Sequence, residues 1–258
     1  MSLSDYIASK KKSRGLLLMT HTVVGYPSLD ANWQMLEGMQ AAGVDLVELQ
    51  MPFSEPIADG PAFNRANQAA LANGVHWDDY FALMTRAAKA FSFRLLFMGY
   101  YNNVFRLGHE TFCRRLAEAG GHGFIIADLP PDQCAELNEC ARKYKLDPIH
   151  MMTPLNEPKR LKEIARDAAG FIYCVARKGV TGRATAMDAG LKDYIARCRA
   201  ATKLPLGMGF GIRTPDDVRQ LKGLVDLAIV GTACLDVWER DGRDGYLKFL
   251  QSLMDATR

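Results

Sequence analysis

The 258 residues carry 48% hydrophobic and 24% charged side chains, with 32 basic against 29 acidic ones, the balance of a folded globular chain and not of a disordered or fibrous one. Apart from Lys10, Lys11, Lys12 and Arg14, read as a solvated helix end, the basic residues are scattered, so no patch for nucleic acid is expected. The apolar run 16–19 is far short of the roughly 20 residues that a membrane helix needs. No secretion or anchoring signal is visible, and six dispersed cysteines without a Cys-x-x-Cys pair fit neither a disulfide framework nor a zinc site, which suits a reducing cytoplasm.

Apolar runs of strand length follow one another at 16–24, 44–51, 94–100, 123–129, 148–153, 171–176, 206–211 and 227–231. Helical periodicity marks 32–42, 77–90, 110–119, 131–144, 158–168 and 215–221 between them. Pro131, Pro158 and Pro215 open three of these segments, where a missing N–H costs nothing. The strand runs are nearly continuous in apolar residues, as expected of parallel strands covered on both faces. Periodicity alone fits either a doubly wound open sheet or a closed barrel. A count of eight favours a single (β/α)8 TIM barrel over residues 1–258, with no linker or low-complexity tract.

Reacting groups of such a barrel come from the C-terminal ends of its strands. After the second strand, 48–61 reads Glu-Leu-Gln-Met-Pro-Phe-Ser-Glu-Pro-Ile-Ala-Asp-Gly-Pro, with three carboxylates and three prolines. Glu48 alternates with Val47 and Leu49, so its side chain is expected to point inward, where burial raises a carboxyl pKa toward neutrality; a structural hydrogen-bond role stands beside that reading. Asp59 lies in an Ala-Asp-Gly-Pro turn, where a simple Asx cap is the plainer alternative. Glycine segments recur after the last three strands: Gly179-Val180-Thr181-Gly182, Gly209-Phe210-Gly211 and Val230-Gly231-Thr232. Backbone N–H groups at such turns, backed by a helix start, make an anion site of the kind barrels use for phosphate. The segment 177–190 is rich in Gly, Ala and Thr and is expected to be a lid.

These residues resemble the tryptophan synthase α subunit family over almost the whole chain. The resemblance is carried by Glu-Leu-x-x-Pro-Phe-Ser-x-Pro-x-Ala-Asp-Gly-Pro at 48–61, Tyr-x-Asn at 100–102, Ala-Asp-Leu-Pro at 127–130, Gly-Val-Thr-Gly at 179–182 and Gly-Phe-Gly-Ile at 209–212. It implies a barrel that splits indole-3-glycerol phosphate into indole and glyceraldehyde 3-phosphate in tryptophan biosynthesis, without metal or organic cofactor, and that passes indole to a β subunit. By the same resemblance Glu48 is the proton shuttle and Asp59 holds the indole N–H. Gly182, Gly211, Gly231 and Thr232 cradle the phosphate, and His21, Gln50, Met98, Tyr100, Ile125, Tyr173 and Thr181 form the substrate pocket.

Family members usually carry Phe, Gly, Asp and Ser where this chain has His21, Gln50, Glu55 and Thr232. His21 and Gln50 put more polar or larger groups near the ring site, which leaves open a related phosphorylated substrate with a different ring. Glu55 lies in the loop that meets the β subunit in the family, so the chain acts either with such a partner or alone. Arg213 and Arg183 flank the phosphate loops and the lid. Two further readings are weighed: a lysine-imine aldolase using Lys178, and a non-catalytic barrel that regulates a β-like partner. The remaining histidines, His76, His109, His122 and His150, are too scattered to suggest a metal site.

Overall fold

The computed structural model describes residues 1–175, 189–209 and 211–258. Among these, strands β1 (Leu17–Val23), β2 (Leu46–Gln50), β3 (Arg94–Gly99), β4 (Gly123–Ile126), β5 (Asp147–Met152), β6 (Ile172–Val175), β7 (Leu206–Gly209) and β8 (Leu227–Val230) pair in parallel in that order. Strand β8 then pairs with β1, with Leu17 opposite Leu227, so the sheet closes on itself. The open-sheet alternative is excluded, and the eight runs expected from sequence are the eight staves of the barrel.

The helices among the described residues are α1 (Leu3–Lys11), α2 (Leu29–Ala42), α3 (Pro61–Ala72), α4 (Trp77–Ala90), α5 (Tyr101–Leu107), α6 (His109–Glu118), α7 (Ala135–Lys143), α8 (Pro158–Asp167), α9 (Ala189–Ala201), α10 (Pro215–Gln220) and α11 (Thr232–Thr257). Local chemistry sets their ends. Ser28 accepts the Ala31 N–H to start α2, and Gly43, at φ 86, ends it in the left-handed region that glycine enters without strain. Thr214 and Asp217 cap α10 reciprocally, behind Pro215 at its first turn. The segment 131–144 is not one helix: Pro131–Gln133 forms a 3-10 turn and α7 begins only at Ala135. The Cys134 thiol donates to the Pro131 carbonyl across that break at 2.8 Å. Helix α11 breaks at Gly242, whose φ of 62 and ψ of −160 no helical residue adopts.

Alternation along the strands divides the apolar residues into two sets. Leu17, Met19, Leu46, Leu96, Ile125, Ile149, Leu227 and Ile229 fill the barrel, while Leu18, Val47, Leu49, Leu95 and Phe97 pack outward among the helices. Helix α1, not foreseen from the periodicity, closes the N-terminal end of the barrel by adding Leu3, Tyr6 and Ile7 to the inner set. Its first N–H, that of Leu3, donates to the Asp147 carboxylate at 2.8 Å. The interior is thus packed from below, and polar side chains begin at His21 and Glu48, one inward step beyond Met19 and Leu46.

Candidate active site

Glu48 occupies an inward position of β2, opposite His21 of β1 and Leu96 of β3. It is 2% exposed and, among the described residues, has no lysine or arginine beside it; its Oε2 lies 3.4 Å from His21 Nδ1. Burial, and then the negative charge of Asp59, push its pKa from 4.5 up to about 8. His21 is pushed the other way, to about 4, by burial against the weaker opposing pull of Gln50. At neutral pH the imidazole is therefore uncharged and Glu48 holds its proton, so the contact is a neutral pair and not a salt bridge.

Asp59 is placed by the turn that precedes α3, where its N–H donates to the Pro56 carbonyl at 2.9 Å. Gln50 Nε2 donates to its Oδ2 at 2.7 Å and Asn67 Nδ2 at 3.4 Å. Burial raises its pKa from 3.8 to about 6, while hydrogen bonds from Gln50, Tyr100 and Asn67 hold it lower than burial alone would. Near pH 7 the two carboxyls thus differ: Asp59 is largely ionised and Glu48 is largely protonated. Two neighbouring carboxyls with separated pKa values form an acid and a base in one site.

The sequence-derived residues Glu48, Asp59, His21, Met98, Ile125, Tyr173, Gly211, Gly231 and Thr232 line one cavity at the C-terminal end of the barrel. Gln50 and Tyr100 do not line it. They stand behind Asp59, Gln50 as its donor and Tyr100 as a hydroxyl that also accepts the Ala58 N–H at 3.1 Å. Their place in the sequence reading as pocket wall thus becomes a place as support for a carboxylate. Thr181 and Gly182 lie outside the described residues, as do Lys178 and Arg183; of the expected lid only Ala189 and Gly190 are described, at the start of α9.

Sequence reasoning missed several wall residues. Phe63, in the first turn of α3, stacks on His21 with ring centroids 4.4 Å apart. Met151 of β5 and Ile229 of β8 also face the cavity. Inward phase, counted from Glu48 along the barrel register, would have found those two; Phe63 belongs to a helix that no apolar period announced.

At the mouth, Gly231 precedes the first turn of α11, and a Cβ there would sit 3.3 Å from the Phe63 ring. Gly211 takes φ +90, a left-handed conformation suited to glycine. Gly209 has a different task from the one its motif suggested: a Cβ there would fall 2.3 Å from the Tyr173 hydroxyl, so the glycine makes room for that ring. Thr232 opens α11 and lines the cavity, which places a helix N-terminus at an apolar pocket. Arg213 lines the same mouth and donates to Asp236 at 2.7 Å. Among the described residues no group of three or more His, Cys, Asp or Glu side chains could hold a metal ion, and no helix is long and apolar enough to cross a membrane.

A closed (β/α)8 barrel whose C-terminal cavity is lined by two buried carboxyls, apolar side chains and a glycine-led helix start defines the class: a barrel protein with the layout of a TIM-barrel enzyme. The comparison with known proteins narrows it. The family profile described as tryptophan synthase alpha chain matches residues 7–253. The alpha chain of Desulfotalea psychrophila is 43% identical over 98% of this chain and 100% of its own length. That of Chloroflexus aggregans is 39% identical over 99% of this chain and 97% of its own. Among solved structures, a chain of the Mycobacterium tuberculosis tryptophan synthase superposes with a TM-score of 0.92 at 30% identity, covering 99% of this chain and 98% of that one. The alpha subunit from Legionella pneumophila gives 0.89 at 29% identity, covering 100% and 98%. The chain belongs to the tryptophan synthase alpha chain family, and it is a carbon–carbon lyase of tryptophan biosynthesis.

Proposed function

We propose that Glu48 and Asp59 carry out the cleavage of indole-3-glycerol phosphate to indole and glyceraldehyde 3-phosphate. The observation that carries this reading is the placement of two buried carboxyls, Glu48 and Asp59, in one cavity at the C-terminal end of the barrel, where burial and the Asp59 charge push Glu48 toward its acid form. Asp59 accepts the indole N–H and stabilises the positive charge that builds on the ring when Glu48 protonates the ring carbon. The Glu48 carboxylate then takes the proton of the neighbouring glycerol hydroxyl. That oxygen becomes the aldehyde, the carbon–carbon bond breaks, and its electron pair returns to the ring to give indole. Glu48 ends protonated, as it began.

Gly211, Gly231, Thr232 and the N-terminus of α11 suit the phosphate at the cavity mouth, with Arg213 within the same wall. Gly182 and Thr181 join this set by the family resemblance alone. The ring fits the wall of Phe63, Met98, Ile125, Met151 and Tyr173. Exposed apolar side chains on the same end, Ile57 at 72% and Phe105 at 64%, support docking of a tryptophan synthase β subunit, and the composition supports a cytoplasmic home. Indole release from indole-3-glycerol phosphate tests the reading: Glu48→Gln and Asp59→Asn should each lose at least about a hundredfold in kcat/KM. A wild type that releases no indole, alone or with a β subunit, overturns it. His21 in the ring wall favours one second reading, a phosphorylated substrate with a more polar ring; His21→Phe would then raise activity on the indole compound.

A further inference from the structure

The inner faces of β1 and β2, with the turn before α3, place four polar side chains in a row. His21 stands opposite Glu48 in the strand register, and Gln50 follows Glu48 by two residues on the same face. His21 Nδ1 lies 3.4 Å from Glu48 Oε2, the Gln50 side chain interacts with the His21 ring, and Gln50 Nε2 donates to Asp59 Oδ2 at 2.7 Å. All four residues are at most 9% exposed. Three buried atoms in this row, His21 Nε2, Gln50 Oε1 and Glu48 Oε1, make no aligned hydrogen bond. The first two belong to the two side chains in the middle of the row, which lie in contact with one another.

Hydrogen-bond polarity then runs one way. Asp59 offers only acceptor oxygens when ionised, so the Gln50 amide nitrogen must face it and Gln50 Oε1 must face away. An oxygen can only accept, so the imidazole presents Nε2–H toward it. In a neutral imidazole this leaves Nδ1 as an acceptor, and the group beside Nδ1 is Glu48 Oε2, which can donate only as a carboxylic acid. The row is therefore consistent in one state: Glu48 protonated, Asp59 ionised. Loss of the Glu48 proton sets two acceptors face to face, and shifting the imidazole tautomer merely moves the clash to Gln50.

We infer that His21 and Gln50 link the two carboxyls and act as positioning residues that set the acid on Glu48 and the anion on Asp59. The inference rests on the acid–base reading of that pair and deepens it. Other titratable groups face the same two residues. Tyr173 of β6 faces both Glu48 and Asp59. Tyr100, between β3 and α5, and the amide of Asn67 from α3 face Asp59, and Arg213, tied to Asp236, shares the cavity wall.

The test follows the carboxyl titrations of the whole protein by NMR, with 13C-labelled Glu and Asp side chains, for wild type, His21→Phe, His21→Gln, Gln50→Leu and the His21→Phe/Gln50→Leu double variant. Removing the acceptor for the Glu48 acid in His21→Phe should lower the Glu48 midpoint by about one pH unit, the worth of one lost hydrogen bond. His21→Gln offers an oxygen to Glu48 and an amide N–H to Gln50, and should keep the wild-type midpoint. Gln50→Leu should move both carboxyls, raising Asp59 and lowering Glu48, and the double variant should shift Glu48 no further than either single one. Unchanged Glu48 in His21→Phe, or additive shifts in the double variant, overturns the link. This readout needs no substrate, so failure to release indole would refute the proposed reaction and leave the link to be judged on the titrations. Where indole is released, the alkaline limb of kcat/KM should follow the Glu48 midpoint, and a change confined to KM would make His21 only a wall of the ring pocket.

Discussion

Replacing Glu48 with Gln removes a carboxyl that the fold holds at a cost. Its pKa rises from 4.5 to about 8 on folding, about 3.5 units at about 1.4 kcal/mol each. Between those two values the folded chain keeps a proton that the unfolded chain has released. Stability therefore falls as the pH rises through that window, and the loss is complete above about pH 8. At pH 5 the penalty is under about 1 kcal/mol, at pH 7 about 3, and at pH 8 and beyond between about 4 and 5. Glutamine has the same shape and no charge to bury, so Glu48→Gln should be more stable than wild type by a margin that grows over that range while its activity collapses. Urea denaturation of both proteins at pH 5, 7 and 8.5, with the slope against urea held as a control, reads the margin directly. Parallel stability curves for the two proteins would refute the claim that Glu48 is buried without compensation.

Three further outcomes follow from the same geometry. Tyr100→Phe deletes one of the bonds that hold the Asp59 pKa down, so the acid limb of kcat/KM should move upward by about half a unit to one unit, with little change in melting temperature; an unmoved limb would remove Tyr100 from the support of Asp59. Gly209→Ala places a Cβ 2.3 Å from the Tyr173 hydroxyl and should push that ring into the pocket, raising KM at least about tenfold, for a cost of about 1–3 kcal/mol in stability; unchanged KM would show that the ring has room elsewhere. Arg213→Ser should weaken competitive inhibition by glycerol 3-phosphate at low salt by about fivefold to tenfold and flatten its salt dependence, whereas equal inhibition of both proteins would leave the arginine wholly to Asp236.

What the sequence made legible was whatever repeats or alternates. All eight strands announced themselves because each is an apolar run closed off by polar or glycine-rich turns, and Glu48 stood out because a carboxylate in such a run has no cheap explanation. Helix α1 did not, since its inward side is only Leu3, Tyr6 and Ile7 in an otherwise polar stretch; it is a plug, and its apolar spacing answers to the shape of the barrel floor. Gln50 was legible as an inward residue but not as a donor to Asp59, because that pairing depends on how the loop 51–60 folds back over β2. Phe63 was hidden because it lies in α3, a helix that no apolar period marked.

Buried carboxylates occur at both ends of this barrel, and Asp226 and Glu48 differ in what surrounds them. Asp226 precedes β8 at the N-terminal end. Burial pushes its pKa up, but Lys11, Arg199 at 2.6 Å and the Leu206 N–H at 2.7 Å overcome that and leave it below the usual carboxylate value. Glu48, at the C-terminal end, has no such cation among the described residues and goes the other way. A lowered pKa stabilises the fold at all pH values above the unfolded one and loses that contribution as the pH falls through the folded value, so Asp226 is a clamp that works at neutral pH. Asp226→Asn should accordingly cost about 1–3 kcal/mol at pH 7, because it leaves the Leu206 N–H without its acceptor and the partly exposed Lys11 and Arg199 without their anion, and this cost should shrink as the pH falls below the ordinary carboxylate range and the wild-type carboxyl is itself protonated. Its kcat should stay within about twofold of wild type, since the barrel interior separates it from the cavity. A kcat loss comparable to that of Glu48→Gln would break the division between a floor that holds the barrel shut and a rim left uncompensated so that it can move protons.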